Sequence, residues 1–251
     1  MNTAANASEI PVIGILGWEL RNEGTLSQLE DIPGNIAHPD TFSFPVLYKR
    51  VEGAYYQTVV VQPNKNVLRN MIETAREMER DGIQAIMTNC GFNAVFQREL
   101  ADAVSVPFFA SSLIQVPLVY RMLKRKQKVG IITADKKCLT KEHLENVGIS
   151  GEIPVCIAGI ENTEEFSRIR NDSKAALDID KFRREIVGVS KQLVNENKDV
   201  GAVVLECTDL PPFAAVIRKE VGLPVFDIVT LAHMVYESVA GDRWGWKKNS
   251  N

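Results

Sequence analysis

Cysteine and histidine are scarce in this chain, at four and three of 251 residues, and no two cysteines form a CxxC pair. No histidine stands at metal-ligand spacing from them. A dithiol redox motif and a zinc site are excluded as readings of the sequence, no metal ligand is assigned, and the cysteines are expected to be free thiols. Long apolar runs are missing too. The opening MNTAANASEIPVIGILG carries neither the basic start nor the apolar stretch of a secretory leader or membrane span, so a cytoplasmic protein with no membrane partner is expected. Charge of one sign is not in excess: 29 basic residues face 32 acidic ones, the net charge is −3, and nothing in it attracts nucleic acid or an anionic lipid surface. A small molecule is the partner these absences leave, with self-association left open. The balance of 45% apolar and 24% charged residues is that of a globular chain, long enough for one large or two modest cores.

What is present is an internal repeat. Residues 84–113 (QAIMTNCGFNAVFQRELADAVSVPFFASSL) align without a gap on residues 201–230 (GAVVLECTDLPPFAAVIRKEVGLPVFDIVT) at an offset of 117 positions. Cys90 falls on Cys207, Ala85 on Ala202, Phe96 on Phe213, Val104 on Val221, Pro107 on Pro224 and Phe109 on Phe226. Duplication predicts pseudo-two-fold symmetry. A two-fold axis brings the two thiols to opposite sides of one cleft, about 7 Å apart if a single carbon centre is to lie between them.

Short β-branched runs alternate with longer segments of helical period, the pattern of an α/β protein with covered parallel sheets. Strands are expected at 12–16, 57–61, 83–88, 106–109, 129–133, 155–158, 202–206 and 225–227. Helices are expected at 66–80, with Leu68, Ile72, Ala75 and Met78 along one side, and at 182–195, with Ile186, Val189 and Leu193. VIGILG before Trp18 matches VGIITA before Asp135, so each half is a small doubly wound unit. Residues 31–45 (DIPGNIAHPDTFSFP) hold three prolines and a glycine without periodicity, and are read as a loop near the site that could serve as a lid.

Both cysteines close an apolar strand and precede a helix, where α/β sheets place ligand crevices. Pro211 and Pro212 suit a first helical turn. A helix N-terminus favours negative charge, which predicts lowered thiol pKa values and an anchor for a carboxylate. A single cysteine in such a place usually serves as a small packing group. Two retained at equivalent places, beside the polar residues Thr88, Asn89, Glu206, Thr208 and Asp209, point to chemistry. Cys138 and Cys156 have no counterpart in the repeat and are assigned to packing. Trp18, at the end of the first strand, and Thr133, at the end of the matching strand, are further cleft candidates. Trp18, Phe92 or Tyr48 could face a cationic substrate group. His233 is assigned to a helix surface, and the basic run Arg121, Lys124, Arg125, Lys126 and Lys128 to a solvated helix end.

MTNCGFNAVFQREL and LECTDLPPF resemble the two cysteine motifs of the aspartate/glutamate racemase superfamily, whose members use no cofactor and work with facing cysteines. The run Cys207-Thr208-Asp209-Leu210-Pro211 carries the resemblance most specifically. Amino-acid racemases of the family usually have Asn-Thr directly after the first cysteine, where this chain has Gly91-Phe92 and then Asn93. DIPGNIAHPDTFSFPVLYKRVEG, TNCGF and ECTDLPPF are also similar to a branch that includes algal dimethylsulfoniopropionate lyases, which use a cysteine to remove a proton next to a carboxylate. The resemblance implies two pseudo-symmetric doubly wound, flavodoxin-like α/β domains with parallel sheets and the active site between them. It places residues 1–107 and 224–251 in the first domain, to which the last strand and helix return, and residues 108–223 in the second. Cys90 and Cys207 are then the catalytic acid/base pair, with no cofactor and no metal. Trp18, Asn89, Gly91, Phe92, Asn93, Thr133, Thr208 and Asp209 are the expected substrate-binding residues.

Removing a hydrogen α to a carboxylate needs a positioned base, stabilisation of the enediolate and exclusion of water. Racemisation needs an acid on the opposite face as well, whereas elimination needs one base and a β leaving group. The duplicated thiols favour a racemase or isomerase acting on a small carboxylate such as aspartate or glutamate. Gly91-Phe92 favours another substrate, with elimination of dimethylsulfoniopropionate to dimethyl sulfide and acrylate as the enzymatic alternative. A carboxylate-binding sensor is the non-enzymatic one. Substrate identity, the resting thiolate and oligomeric state are not legible.

Overall fold

In the computed structural model, residues 11–19 and 25–240 are described; the first ten residues of the leader reading and the 241–251 end of the expected first domain lie outside them. Eight strands form two four-stranded parallel sheets with helices on their faces, the expected α/β architecture. The first sheet is built from β1 (Ile13–Trp18), β2 (Val46–Val51), β3 (Ala85–Thr88) and β4 (Phe108–Phe109) in the order β2-β1-β3-β4. The second takes β5 (Lys128–Thr133), β6 (Val155–Gly159), β7 (Val200–Leu205) and β8 (Val225–Phe226) in the matching order β6-β5-β7-β8. The repeat continues past the strands: Asn89 N–H donates to Leu16 O at 2.9 Å, and Glu206 N–H, at the equivalent position, donates to Ile132 O at 2.8 Å.

Helices follow the strands in turn: α1 (Lys65–Arg80), α2 (Gln97–Asp102), α3 (Val116–Met122), α4 (Lys141–Asn146), α5 (Glu164–Asn171), α6 (Ile179–Glu196), α7 (Ala214–Val221) and α8 (Ile228–Val239). Asn64 caps α1 by accepting the N–H groups of Asn66 and Val67. Its buried row is Val67, Met71, Ala75 and Met78, with Leu68 and Ile72 on the flank. In α6 the buried row is Phe182, Ile186, Ser190 and Leu193, with Val189 on the flank. The Asp227 side chain caps α8, whose Ile228, Leu231, Ala232 and Val235 pack on Ile13, Ile15, Ala85 and Met87 of the first sheet.

Three expectations are corrected. Gln57–Val61 is a wide helical turn, not a strand: Thr58 Oγ1 donates to Gly53 O at 2.6 Å, closing the chain on itself while Val59 and Val60 bury their side chains. The missing strand is β2, a half-buried edge element whose LYKR core has no clean alternation. Residues 31–45 are a packed chain of turns, not a free lid, since Ile36, Phe42 and Phe44 are buried beside α8. Two strands also lie across the expected divisions. Residues 108–109 pair with β3 in the first sheet, and residues 225–226 with β7 in the second. The chain changes sheets only after completing each repeat, through α3, which packs on β5, and α8, which packs on β3.

The halves are held together beside their cores. Thr25 N–H donates to Ile169 O at 2.7 Å, Gln28 Nε2 donates to Ala175 O at 2.8 Å, and Leu177 N–H donates to Gln28 Oε1 at 2.9 Å. Phe182 joins α5, α6 and the second cysteine motif, with its ring 6.4 Å from Phe166 and 5.4 Å from Phe213. Phe182→Ala is expected to cost about 3–5 kcal/mol, as fully buried aromatic truncations do, read as a lower urea midpoint with an unchanged m-value.

Candidate active site

Cys90 follows β3 and Cys207 follows β7, and both residues line one pocket between the halves, about 780 Å³ with its open mouth included. Each cysteine is followed by a 3-10 turn, Gly91–Phe96 or Pro211–Phe213, before α2 or α7 begins. The N–H groups of Phe92 and Asn93 point at the Cys90 sulfur, and that of Asp209 at the Cys207 sulfur. The expected lowering of the thiol pKa values is overturned. Burial pushes both thiols well above 9, with Glu206 adding at Cys90 and Asp209 at Cys207, and these outweigh the amides of turns too short for a strong helix dipole. The two sulfurs are close enough that charge on Cys90 raises Cys207 further.

Backbone contact between the two motifs sets this geometry. Thr208 Oγ1 donates to Asn89 O, and Ser112 Oγ donates to Leu205 O at 2.7 Å. Gly91 lies flat on Glu206: a β-carbon there would stand 2.1 Å from Glu206 Oε1 and 2.3 Å from its carbonyl oxygen. The packed segment 31–45 supports the second motif from behind. Gly34, at φ +99°, brings its α-carbon against Pro212, and Asn35 Nδ2 donates to Asp209 Oδ1 at 2.8 Å.

Glu206 is fully buried at the pocket wall. Thr133 Oγ1 donates to its Oε2 at 2.7 Å and the Ala134 N–H points at the carboxyl, while Oε1 has no partner. Burial raises its pKa from 4.5 to about 7. Burial likewise raises Asp209 to about 7, and its Oδ2 receives the Cys207 thiol at 3.9 Å.

Of the expected substrate-binding residues, Trp18, Asn89, Gly91, Phe92, Thr208 and Asp209 line the pocket. Thr133 does not; it reaches the site only through Glu206. Asn93 is buried behind the first motif with neither side-chain polar atom partnered. Tyr48 lies under Asn89, whose Nδ2 donates to its hydroxyl at 2.9 Å, and His233 is exposed on the surface of α8 as expected, with its ring against Phe42 and Phe44. The sequence reading missed Tyr55, Tyr56 and Phe166 as lining residues, and treated Glu206 only as a polar neighbour of Cys207. Position was the signal available for Glu206, which takes the place of Asn89 in the repeat.

Charge distinguishes this pocket. Glu19, Glu30, Glu206 and Asp209 line it, and among the described residues no lysine or arginine does. Arg50 is not a lining residue but is paired with one, donating to Glu30 at 2.8 Å and to Trp18 O at 2.7 Å. Arg170 sits outside, over the Tyr56 and Phe166 rings at 5.8 and 5.6 Å. Trp18 meets Tyr56 edge-on at 6.4 Å, so the acidic wall is interleaved with aromatic rings. Among the described residues no cluster of side chains could hold a metal ion, and no helix is long and apolar enough to cross a membrane.

Residues 57–234 match the family model described as Asp/Glu/Hydantoin racemase. The chain belongs to this family. It is 30% identical over 209 residues to a dimethylsulfoniopropionate lyase of Durusdinium sp. clade D, covering 80% of this chain and 68% of that protein. It is 26% identical over 217 residues to dimethylsulfoniopropionate lyase 3 of Emiliania huxleyi, covering 82% of this chain and 56% of that protein. The fold is shared with an aspartate racemase homologue from Pyrococcus horikoshii, with a TM-score of 0.55, 20% identity, and coverage of 93% of this chain and 100% of that one. An allantoin racemase from Klebsiella pneumoniae gives a TM-score of 0.56 at 15% identity, with coverage of 91% and 86%.

Gly91→Ala is expected to force the two motifs apart and to cost about 1–3 kcal/mol, as overpacking does, measured by chemical denaturation. Glu206 also makes stability depend on pH. Its folded pKa of about 7 lies above the 4.5 of an open chain, so its contribution is full below pH 4.5 and fades as pH rises to 7. That difference amounts to about 3 kcal/mol. The melting temperature should fall between pH 5 and 8, and fall less in Glu206→Gln.

Proposed function

We propose that this protein is a cofactor-independent lyase that eliminates a β-sulfonium group from a small carboxylate of the dimethylsulfoniopropionate type, with a cysteine as base. The observation that carries this reading is the wall around the thiols, four acidic side chains and five aromatic rings with no lysine or arginine among the described residues. A sulfonium centre is drawn to such a wall by charge and by the ring faces. Aspartate or glutamate would bring two carboxylates against it. The names of the curated relatives support the same reading.

Cys207 is the base in this proposal, because its sulfur is the one with a carboxylate at 3.9 Å, and an Asp209 pKa of about 7 suits a proton acceptor near neutrality. Asp209 takes the thiol proton, and the arriving sulfonium charge favours the thiolate that remains. The thiolate removes the α-hydrogen. The C–H electron pair becomes the α,β double bond, the β-carbon–sulfur bond breaks with its pair on sulfur, and neutral dimethyl sulfide and acrylate result. One proton is released overall and no oxidant or reductant is consumed.

A second reading, racemisation or isomerisation of a small carboxylate, is favoured by the two thiols sharing one pocket. Incubation in deuterated water with dimethylsulfoniopropionate, aspartate, glutamate and allantoin separates the two. Elimination predicts dimethyl sulfide and acrylate in equal amounts, a loss of about 10²-fold or more in Cys207→Ser, and partial activity in Cys90→Ser. Interconversion of enantiomers without dimethyl sulfide, abolished by either serine variant, would select the racemase. Affinity without any α-deuteration would select a binding protein.

A further inference from the structure

We propose that Glu206 presents its carboxylic acid to the substrate, with Oε1–H as the hydrogen-bond donor that receives the substrate's carboxylate and the enediolate formed from it. This rests on the reading above only in requiring that the pocket takes a carboxylate; it does not depend on the leaving group.

Three observations converge on that oxygen. Glu206 is a fully buried residue of the pocket wall, and its Oε1, beside the lining residue Gly91, has no hydrogen-bond partner within the protein. Oε2 is committed as an acceptor, since Thr133 Oγ1 donates to it at 2.7 Å, so the acid proton belongs on Oε1. Gly91 is the only residue type that lets Oε1 lie over the backbone of the first motif, where a β-carbon would stand 2.1 Å away. The donor is thereby set beside Cys90, whose thiol already feels the Glu206 charge.

The chemistry requires such a donor. A carboxylate entering a pocket lined by acids, with no cationic side chain among the described lining residues, must be held by neutral donors, and a carboxylic acid is the strongest of these that the wall offers. A neutral carboxylic acid donates without adding charge, and burial favours the neutral form here. As the α-proton leaves, negative charge grows on the substrate oxygens and the bond from Oε1 strengthens, the pattern by which a preformed donor lowers a barrier. The ionisable groups facing Glu206 are Cys90 and Cys207, one in each motif, and Asp209 beyond them. Asp135, which follows Ala134, is directed at the Tyr56 hydroxyl 3.5 Å away.

The test uses the full chain and 3-(trimethylammonio)propionate, a carboxylate whose trimethylamine is a poor leaving group, with propionate beside it. Binding is measured by calorimetry from pH 6 to 8.5 in two buffers of different ionisation heat. A carboxylate that is bound by the acid form draws a proton onto Glu206, so wild-type protein should take up protons above pH 7, approaching one per ligand at pH 8. Glu206→Gln, which keeps an N–H donor of similar shape, should bind within about tenfold of wild type with no uptake, and Asp209→Asn should retain the uptake. Glu206→Leu should lower turnover of any substrate found by roughly 10²-fold. Binding without proton uptake by wild-type protein, failure of both carboxylates to bind, or uptake that persists in Glu206→Gln would each overturn the proposal. The wild-type result is decisive even if no variant folds. Absence of dimethyl sulfide production bears on the lyase reading alone.

Discussion

The feature on which the rest of the structure depends is the direct contact of two backbones across the middle of the molecule. Gly91 against Glu206, and the Thr208 hydroxyl bonded to the carbonyl of Asn89, bring the ends of β3 and β7 together. Each sheet has its own buried pattern of Val, Ile and Leu, and this contact sets both cysteines on one pocket. It also takes Glu206 out of water. Burial in turn keeps the two thiols protonated at neutral pH and raises Glu206 and Asp209 to about 7, so the resting pocket carries less charge than its composition suggests.

That protonation links the shape of the pocket to its selectivity. An acidic wall that is partly neutral at rest can admit a carboxylate and still favour a cation, because a positive group stabilises the ionised forms that burial suppresses. The aromatic rings are arranged to the same end. Trp18 and Tyr56 stand edge to face, and Arg170 is held on the outside of the Tyr56 and Phe166 rings, away from the cavity.

The duplication was legible because the offset of 117 positions preserves strand, cysteine and following proline together, and the matching strand orders follow from it. Cys90, Cys207 and most of their neighbours could be placed for the same reason. Elements set by tertiary partners could not. Gln57–Val61 has the composition of a strand, yet the Thr58 hydroxyl on Gly53 O turns it, and β2 hides in a sequence of edge character. Helix N-termini after the cysteines were visible in Pro211 and Pro212, but how deeply the thiols are buried was not, and burial decides the sign of their pKa shifts. Glu206 was legible by position, while its free oxygen is a property of packing on a glycine 115 residues away.

The crossing at residues 25–28 has a kinetic meaning. Thr25 is bonded to Ile169, and Gln28 exchanges both halves of its amide with Ala175 and Leu177. Leu26 and Ser27, between them, form part of the pocket wall. Any swing that parts the two halves must break these bonds first, so the residence time of a molecule inside is tied to the amide of Gln28, a group that touches neither sulfur.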